Sequence, residues 1–348
     1  MAETPARVTF MLWASRPCLR TIGKSRESGP RASKPHSQRT TSSFSSVLLA
    51  NFGRRLALSG RSGGSRVRVH VTSYPHVIKG LAICFLFAIA GSSCAGTAGA
   101  PKPAPPHVFV IVMENHSADE ALSGQFTAQL AATYGEAANY HAVAHPSVPN
   151  YLALTSGQTW GVQDDSYRIL PRRDLGDQLT AAGISWRAYM EGLTDAGCLR
   201  SPVPYDPGHN PFAFYGGQCP ANVVPLSAQA ADLAGQTPRF SWITPDRCHD
   251  AHDCPVAVGD AWLSQEVGAI TRSAAWKSNG VLFITWDEDD GSTDNGVLAL
   301  VIRPGMKHVV SHRLYTHYSL LATIEDLTGV GRLAGAAQAA PMSDLVNG

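Results

Sequence analysis

Hydrophobic and polar positions switch abruptly at two places in this chain. His107 to Met113 reads HVFVIVM, an unbroken apolar and β-branched run, and polar Glu114-Asn115-His116-Ser117 follows at once. Val281 to Trp286 reads VLFITW and gives way to Asp287-Glu288-Asp289-Asp290-Gly291. Apolar runs without alternation mark strands buried on both faces, as in parallel sheets. Further strands are expected at 184–190, 240–244 and 297–302. Helical spacing predicts helices at 125–138, 174–182, 260–273 and 318–327, with Gly183 capping the second. Residues 151–155 could open another helix, and 192–225, rich in Pro and Gly, reads as loop. Alternating strands and helices imply an α/β fold with a mostly parallel central sheet. There is no internal repeat and no Gly-rich phosphate loop of the P-loop or dinucleotide kind.

Composition changes this picture mainly at the N-terminus. The 348 residues are 44% hydrophobic, enough for a sizeable core, and the formal net charge is +1. That figure conceals a split. Residues 1–75 carry 13 Lys/Arg against two acidic residues, whereas 101–348 carry 14 against 25. An acidic globular part disfavours grip on nucleic acid through phosphate neutralisation. Residues 1–76, rich in Ser, Arg and Gly, are expected to be a disordered basic extension, unless the natural start lies near Val71 or Val77. Residues 77–100 read as a signal peptide: Lys79, an apolar run from Gly80 to Gly91, then small residues suited to cleavage near Ser93-Cys94-Ala95 or Ala98-Gly99-Ala100. A lipidated Cys94 is the lesser alternative, because Gly91-Ser92-Ser93 lacks the expected Leu. Proline-rich 101–106 is a linker, and 107–348 is the working domain of a secreted or cell-envelope protein.

Four cysteines remain beyond the leader: Cys198, Cys219, Cys248 and Cys254. An even number in an exported chain suggests disulfides. Three connectivities are possible, and loop locality favours Cys198–Cys219 with Cys248–Cys254. The spacings are not of the paired CxxC kind that a structural zinc site would use.

In open α/β sheets ligands bind at the carboxyl ends of the strands. Both apolar strands end there in hard oxygen donors, and converging carboxylates repel one another unless a cation neutralises them. A single acidic run would be a solvated turn. Two at strand ends point to a metal.

Six blocks then act together: MENHS (113–117), HPSVPNYLALTSG (145–157), HNPF (209–212), SWITPDRCHDAHDC (241–254), FITWDEDDG (283–291) and THYSLLATIEDLTG (316–329). They resemble the bacterial phosphoesterase family, which holds phospholipases C and acid phosphatases within the alkaline phosphatase superfamily. The resemblance covers nearly all of 107–345 and implies a three-layer sandwich around the parallel sheet. It also implies a hydroxyl nucleophile, Ser147, in the block Ser147-Val148-Pro149-Asn150, with Asn150 donating to a phosphate oxygen. Metal ligands carry over to Glu114, Asn115, Ser147, Asp287 and Glu288. Glu288 departs from the aspartate often found there. The charge count and the all-oxygen donors favour one divalent ion, calcium, magnesium or manganese rather than zinc.

With a proton to deliver to the leaving alkoxide, one histidine should be a general acid: His252 first, then His209. Asp250 could orient His252 or bind metal, and His317 completes the substrate-binding set. His116 and His145 flank the key loops. Thr155 and Ser156, the other hydroxyls, are expected to pack in or just past a helix. The resemblance implies a secreted phosphomonoesterase with an acidic optimum, working through a phosphoserine. Its substrates would be small phosphate monoesters or phosphoinositide head groups such as phosphatidylinositol 3-phosphate. A phospholipase C-type diesterase and a non-catalytic exported binding protein are the alternatives. Transient contact with a membrane surface is compatible with this; Trp160, Tyr167 and 199–218 could shape a lipid-facing mouth, although ordinary packing accounts for them equally. The oligomeric state is not legible.

Overall fold

The computed structural model describes residues 105–348. The expected basic extension, leader, lipidation site and most of the linker lie outside the described residues. The strands are β1 (His107–Met113), β2 (Gly135–Ala137), β3 (Tyr140–His141), β4 (Trp186–Met190), β5 (Val223–Pro225), β6 (Phe240–Thr244), β7 (Gly280–Trp286), β8 (Ala299–Ile302), β9 (Val309–Ser311) and β10 (Tyr315–Thr316). The helices are α1 (Ala118–Ala121), α2 (Gln125–Thr133), α3 (Ser147–Ser156), α4 (Leu175–Ala181), α5 (Gln229–Ala234), α6 (Val256–Arg272), α7 (Ala274–Asn279), α8 (His317–Thr328) and α9 (Ser343–Val346).

Eight strands form one sheet in the order β5-β4-β6-β1-β7-β8-β2-β9, and β3 pairs with β10 separately. From β5 to β7 every pairing is parallel. The apolar runs seen in the sequence are its centre: in β1 all but His107 are buried, and β7 is buried throughout. Helices α3, α4 and α8 pack together as one group and α2, α5, α6 and α7 as another, the arrangement that buries both faces of a parallel sheet.

Most of the element reading holds, although the expected loop 192–225 ends in β5, which pairs with β4, and three further adjustments matter. The helix expected over 125–138 stops at Thr133, and Gly135–Ala137 becomes a strand paired with β8 and β9. Helical periodicity could not reveal that pairing, because it is supplied by segments about 165 residues away. Second, β8 runs antiparallel to β7, so the sheet is mixed at that side. Third, α3 begins at Ser147 rather than near 151, because Pro149 sits within the first turn, where a missing N–H costs nothing. Helix α3 is buried along its whole length and ends at Gly157, which has φ +71°. A Cβ there would lie 2.5 Å from the Leu333 carbonyl oxygen, so only glycine fits. Cys198 bonds Cys219 and Cys248 bonds Cys254, the pairing that loop locality favours.

Candidate active site

Parallel β1 and β7 are in register, Met113 beside Trp286, so Glu114 and Asp287 leave the sheet side by side at its carboxyl edge. Two backbone bonds fix the crossing: Asp287 N donates to Met113 O at 3.0 Å, and Asn115 N donates to the Asp287 carboxylate at 3.1 Å. Asn115 adopts φ +49°, a left-handed turn that asparagine tolerates better than most residues. The first residue of α3 meets this pair. Ser147 Oγ lies 3.2 Å from Glu114 Oε2, 3.2 Å from Asn115 Oδ1 and 3.1 Å from Glu288 Oε1.

That arrangement is electrostatically incomplete as protein alone. A hydroxyl has one proton, so at most one of those three acceptors can be satisfied. Asp287 Oδ2 is buried with no partner. Glu114, Asp250 and Asp287 are fully buried, and Glu288 is 5% exposed. Burial, reinforced by Asp287 and Asp250, pushes the Glu114 carboxyl well above the usual carboxylate range. Burial and the neighbouring Glu288 raise Asp287 to about 7. Glu288 is also raised, by burial, against the pull of His145. Anionic oxygens gathered around one hydroxyl, with one oxygen orphaned, are the donor set of a hard divalent cation. Glu114, Asn115 and Glu288 therefore converge on Ser147, with Asp287 tied to them through the Asn115 N–H, a donor set that would suit one such ion. Glu114, His209 and His252 also bring ligand atoms within 4.8 Å of one another, so the two histidines border the same cluster.

The other expected site residues take different places. Asn150 does not face the pocket. Its Oδ1 accepts from the Val143 and Ala144 N–H groups, and its amide donates to the Ala144 and Pro146 carbonyls. With every amide hydrogen used, the expectation that it donates to a phosphate oxygen is corrected: Asn150 shapes the loop that presents Ser147. His317 is likewise corrected from a substrate-binding to a positioning residue. It is fully buried, its Nε2 donates to the Asp287 carbonyl at 2.6 Å, and its Nδ1 faces the Tyr140 hydroxyl at 3.0 Å. Burial lowers its pKa to about 4, so it is neutral.

Asp250 is also too buried to meet substrate. It orients His209 rather than the ring of His252: its Oδ2 lies 3.1 Å from His209 Nδ1, while only the His252 backbone N–H reaches it. His209 Nε2 lies 3.5 Å from Glu114. Burial works against the charge on His209, but Asp250 outweighs it and holds the pKa above the usual imidazole value. His252 is the exposed member, with Nδ1 2.8 Å from Asp253. Thr155 and Ser156 bond back to carbonyls within α3, as expected.

Four contributors escaped the sequence reading. Tyr151 donates its hydroxyl to Glu114 Oε1 and stacks on His209. Its position four residues after Ser147, on one helix face, was the available signal. Asp165 accepts the Val148 N–H at 3.0 Å, Arg247 reaches His252 and Asp253, and Tyr140 holds His317. Asp165 and Arg247 come from loops and Tyr140 from the short strand β3, and no local pattern announces their approach.

Comparison with known proteins places this geometry. The Phosphoesterase family profile matches residues 123–331. A phosphatidylinositol-3-phosphatase of Mycobacterium tuberculosis is 32% identical over 260 residues, covering 72% of this chain and 86% of that one. A phosphate-repressible acid phosphatase of Penicillium chrysogenum is 27% identical over 214 residues, 56% of this chain; the match spans about half, 52%, of the fungal protein. Among solved structures, a Vibrio parahaemolyticus protein of the alkaline phosphatase superfamily superimposes with a TM-score of 0.50 at 12% identity, covering 70% of this chain and 72% of that one. It supports the fold alone.

Proposed function

The chain belongs to the phosphoesterase family and is a phosphoric ester hydrolase, and from that premise we propose that it is an exported, metal-dependent phosphomonoesterase of the acid phosphatase kind. Ser147 Oγ among three acceptor oxygens is the observation that carries the reading. Glu114, Asn115, Ser147, Asp287 and Glu288 would hold one divalent ion, with calcium, magnesium or manganese suiting the oxygen donors better than zinc. When bound, it would supply the positive charge that favours the serine alkoxide and offsets charge on the phosphoryl oxygens.

The chain's own groups account for the rest. Ser147 releases its proton to solvent and attacks phosphorus as the alkoxide, in line with the ester oxygen; the new P–O bond forms as the ester P–O bond breaks. The departing alcohol oxygen takes a proton from His252, which stands at the exposed side of the cluster with Asp253 on its Nδ1. Water then attacks the phosphoserine, His252 takes a proton from that water, and phosphate leaves with the Ser147 oxygen restored as the alkoxide. His209, fixed by Asp250 and stacked on Tyr151, balances the charge of Glu114. With Asn150 committed to the loop, the Ser147 N–H at the start of α3 would be a main-chain donor to the reacting phosphoryl group.

The substrate we favour is a monophosphate on a lipid head group, as in phosphatidylinositol 3-phosphate, because the mycobacterial relative bears that name and is matched along most of its length. Two disulfides accord with export. The test is hydrolysis of p-nitrophenyl phosphate beside p-nitrophenylphosphorylcholine, with and without chelator, followed by phosphate release from phosphatidylinositol 3-phosphate. Chelator-sensitive release from the monoesters is the expected result. Release mainly from the diester would put the phospholipase C-type reading in its place. Release from none after metal is restored would leave a binding protein.

A further inference from the structure

Of the six large apolar side chains exposed among the described residues, four come from two short segments: Tyr167, Ile169, Leu199 and Val203. Ile169 is 68% and Val203 71% exposed. The two segments meet. Tyr167, Leu199 and Arg200 line one cavity of about 330 Å³ with the Cys198 and Cys219 half-cystines. A Cβ placed on Gly217 would come 2.9 Å from Ile169 Cδ1, and one on Gly216 would come 2.5 Å from Arg172 Nε. Ile169 and Arg172 therefore lie side by side over a glycine pair, one apolar and one cationic. Arg200 bonds only the Ala196 carbonyl, and the nearest carboxylate to Arg172 is Asp177 at 3.7 Å. Arg200 thus has no carboxylate partner among the described residues, and Arg172 shares its charge with Asp177 over a long contact.

The Val203 end of this patch borders the active site: the adjacent Pro204 carbonyl accepts the N–H of Arg247, whose guanidinium reaches His252. Leu199 and Val203 lie on the loop leaving the carboxyl end of β4, which runs parallel to β6 and so to β1 and β7. On the other segment, Asp165 holds the N–H of Val148, the residue after the nucleophile. Val148, Val162, Leu170, Phe214 and Tyr215 form a small core of their own beneath it, separate from the main one. The chain that carries Ser147 and the chain that carries the exposed apolar groups are thus packed as one piece.

We infer that this patch is an interfacial anchor that docks the enzyme on an anionic lipid surface. Ile169, Leu199 and Val203 would enter the boundary between head groups and acyl chains, while Arg172 and Arg200 meet lipid phosphates. The inference rests on the lipid-phosphate reading above. The domain as a whole is acidic, with 14 Lys/Arg against 25 Asp/Glu in 101–348, so attraction to an anionic bilayer has to be local, and this patch combines the apolar groups with Arg200 and with Arg172, which is held only by a long ion pair to Asp177. Docking there would bring a head-group phosphate to the Ser147 edge without lifting the lipid out of the bilayer.

The test uses the full chain, so that residues 1–104 are common to every variant. Two variants are compared with the wild type: the triple Ile169→Ser/Leu199→Ser/Val203→Ser and the double Arg172→Gln/Arg200→Gln. Long-chain phosphatidylinositol 3-phosphate is presented in phosphatidylcholine–phosphatidylserine vesicles of about 4:1, and its dibutanoyl analogue is presented free in solution. The triple should lose about 10-fold or more of vesicle turnover, and the double several-fold, with soluble turnover held within about 2-fold of wild type. Flotation with substrate-free vesicles should fall in the same order. Unchanged vesicle turnover and flotation in both variants would overturn the anchor and leave the patch to a protein partner. An equal fall on the soluble substrate would overturn it in favour of a structural role. If the wild type hydrolyses p-nitrophenyl phosphate but neither lipid, the lipid-substrate reading has failed by itself. Flotation then decides the anchor: patch-dependent flotation sustains it, and patch-independent flotation overturns it.

Discussion

Two clusters of histidine and carboxylate lie in the described part of the molecule, and they differ in what surrounds them. Around Ser147, buried Glu114, Asp287 and Glu288 face one another with too few protons to go round, and Asp287 Oδ2 has no partner. Glu114, His209 and His252 bring ligand atoms within 4.8 Å of one another there, and Glu191, Asp246 and His249 do so elsewhere. In the second cluster, however, His249 Nδ1 meets Glu191 at 2.9 Å, and the Asp246 N–H donates to the same Glu191 oxygen at 3.1 Å. Asp246 in turn accepts the N–H groups of Cys248 and His249. That cluster is less deeply buried and closes its own hydrogen bonds, so it works as a turn clasp at the end of β6. Residue type is the same in both. Burial together with unmet hydrogen-bonding demand separates a site that calls for a cation from one that does not.

The largest effect should come from Ser147→Ala, with phosphatase turnover falling about 10³-fold or more while the circular dichroism spectrum stays that of wild type. Glu191→Gln should leave turnover within about 3-fold; if it matched Ser147→Ala, the comparison would break. Metal affinity comes next. Calorimetric titration with manganese should give about 100-fold weaker binding for Asp287→Asn and no change for Glu191→Gln. Tyr151→Phe removes one hydrogen bond to Glu114 and should cost about 10-fold in kcat with little change in KM.

The smallest effect concerns buried acids away from the site. Burial raises Glu266 and Glu325 to about 7 in the folded state, above their unfolded values near 4.5. Their folded form binds more protons than the unfolded chain, so the stabilisation is complete below about pH 4.5 and is lost as pH rises through about 7. Thermal melts from pH 4.5 to 8 should show that decline, and Glu266→Gln with Glu325→Gln should flatten it by on the order of 2 kcal/mol. A decline of the same size in the double variant would exclude these two groups as its cause.

The central strands, the carboxyl-edge position of the acidic groups that follow β1 and β7, and the two disulfide pairs were all legible in the sequence. Each rests on local information: a double-sided apolar run, a polar switch at its end, a short spacing between cysteines. Ser147 was found through its family block. Asn150 and His317 came in the same way, and the sequence could identify them as part of the site without saying what they touch. An amide in a turn and a histidine at a helix start look alike whether they face substrate or backbone.

The amino-acid order by itself determined that Glu114-Asn115 and Asp287-Glu288 follow buried strands, because a run such as HVFVIVM is stable only between two apolar layers. Tertiary structure alone decided that Asn150 spends its amide on the Ser147 loop, that His317 steadies Asp287 from behind, and that Asp250 serves His209. It also decided that Ile169 and Val203 stand outside the core. These outcomes depend on which segments, tens to hundreds of residues apart, supply the remaining hydrogen-bond partners and the remaining apolar cover. Buried polar groups must be satisfied wherever the chain happens to bring them, so their roles are set by long-range packing rather than by local pattern.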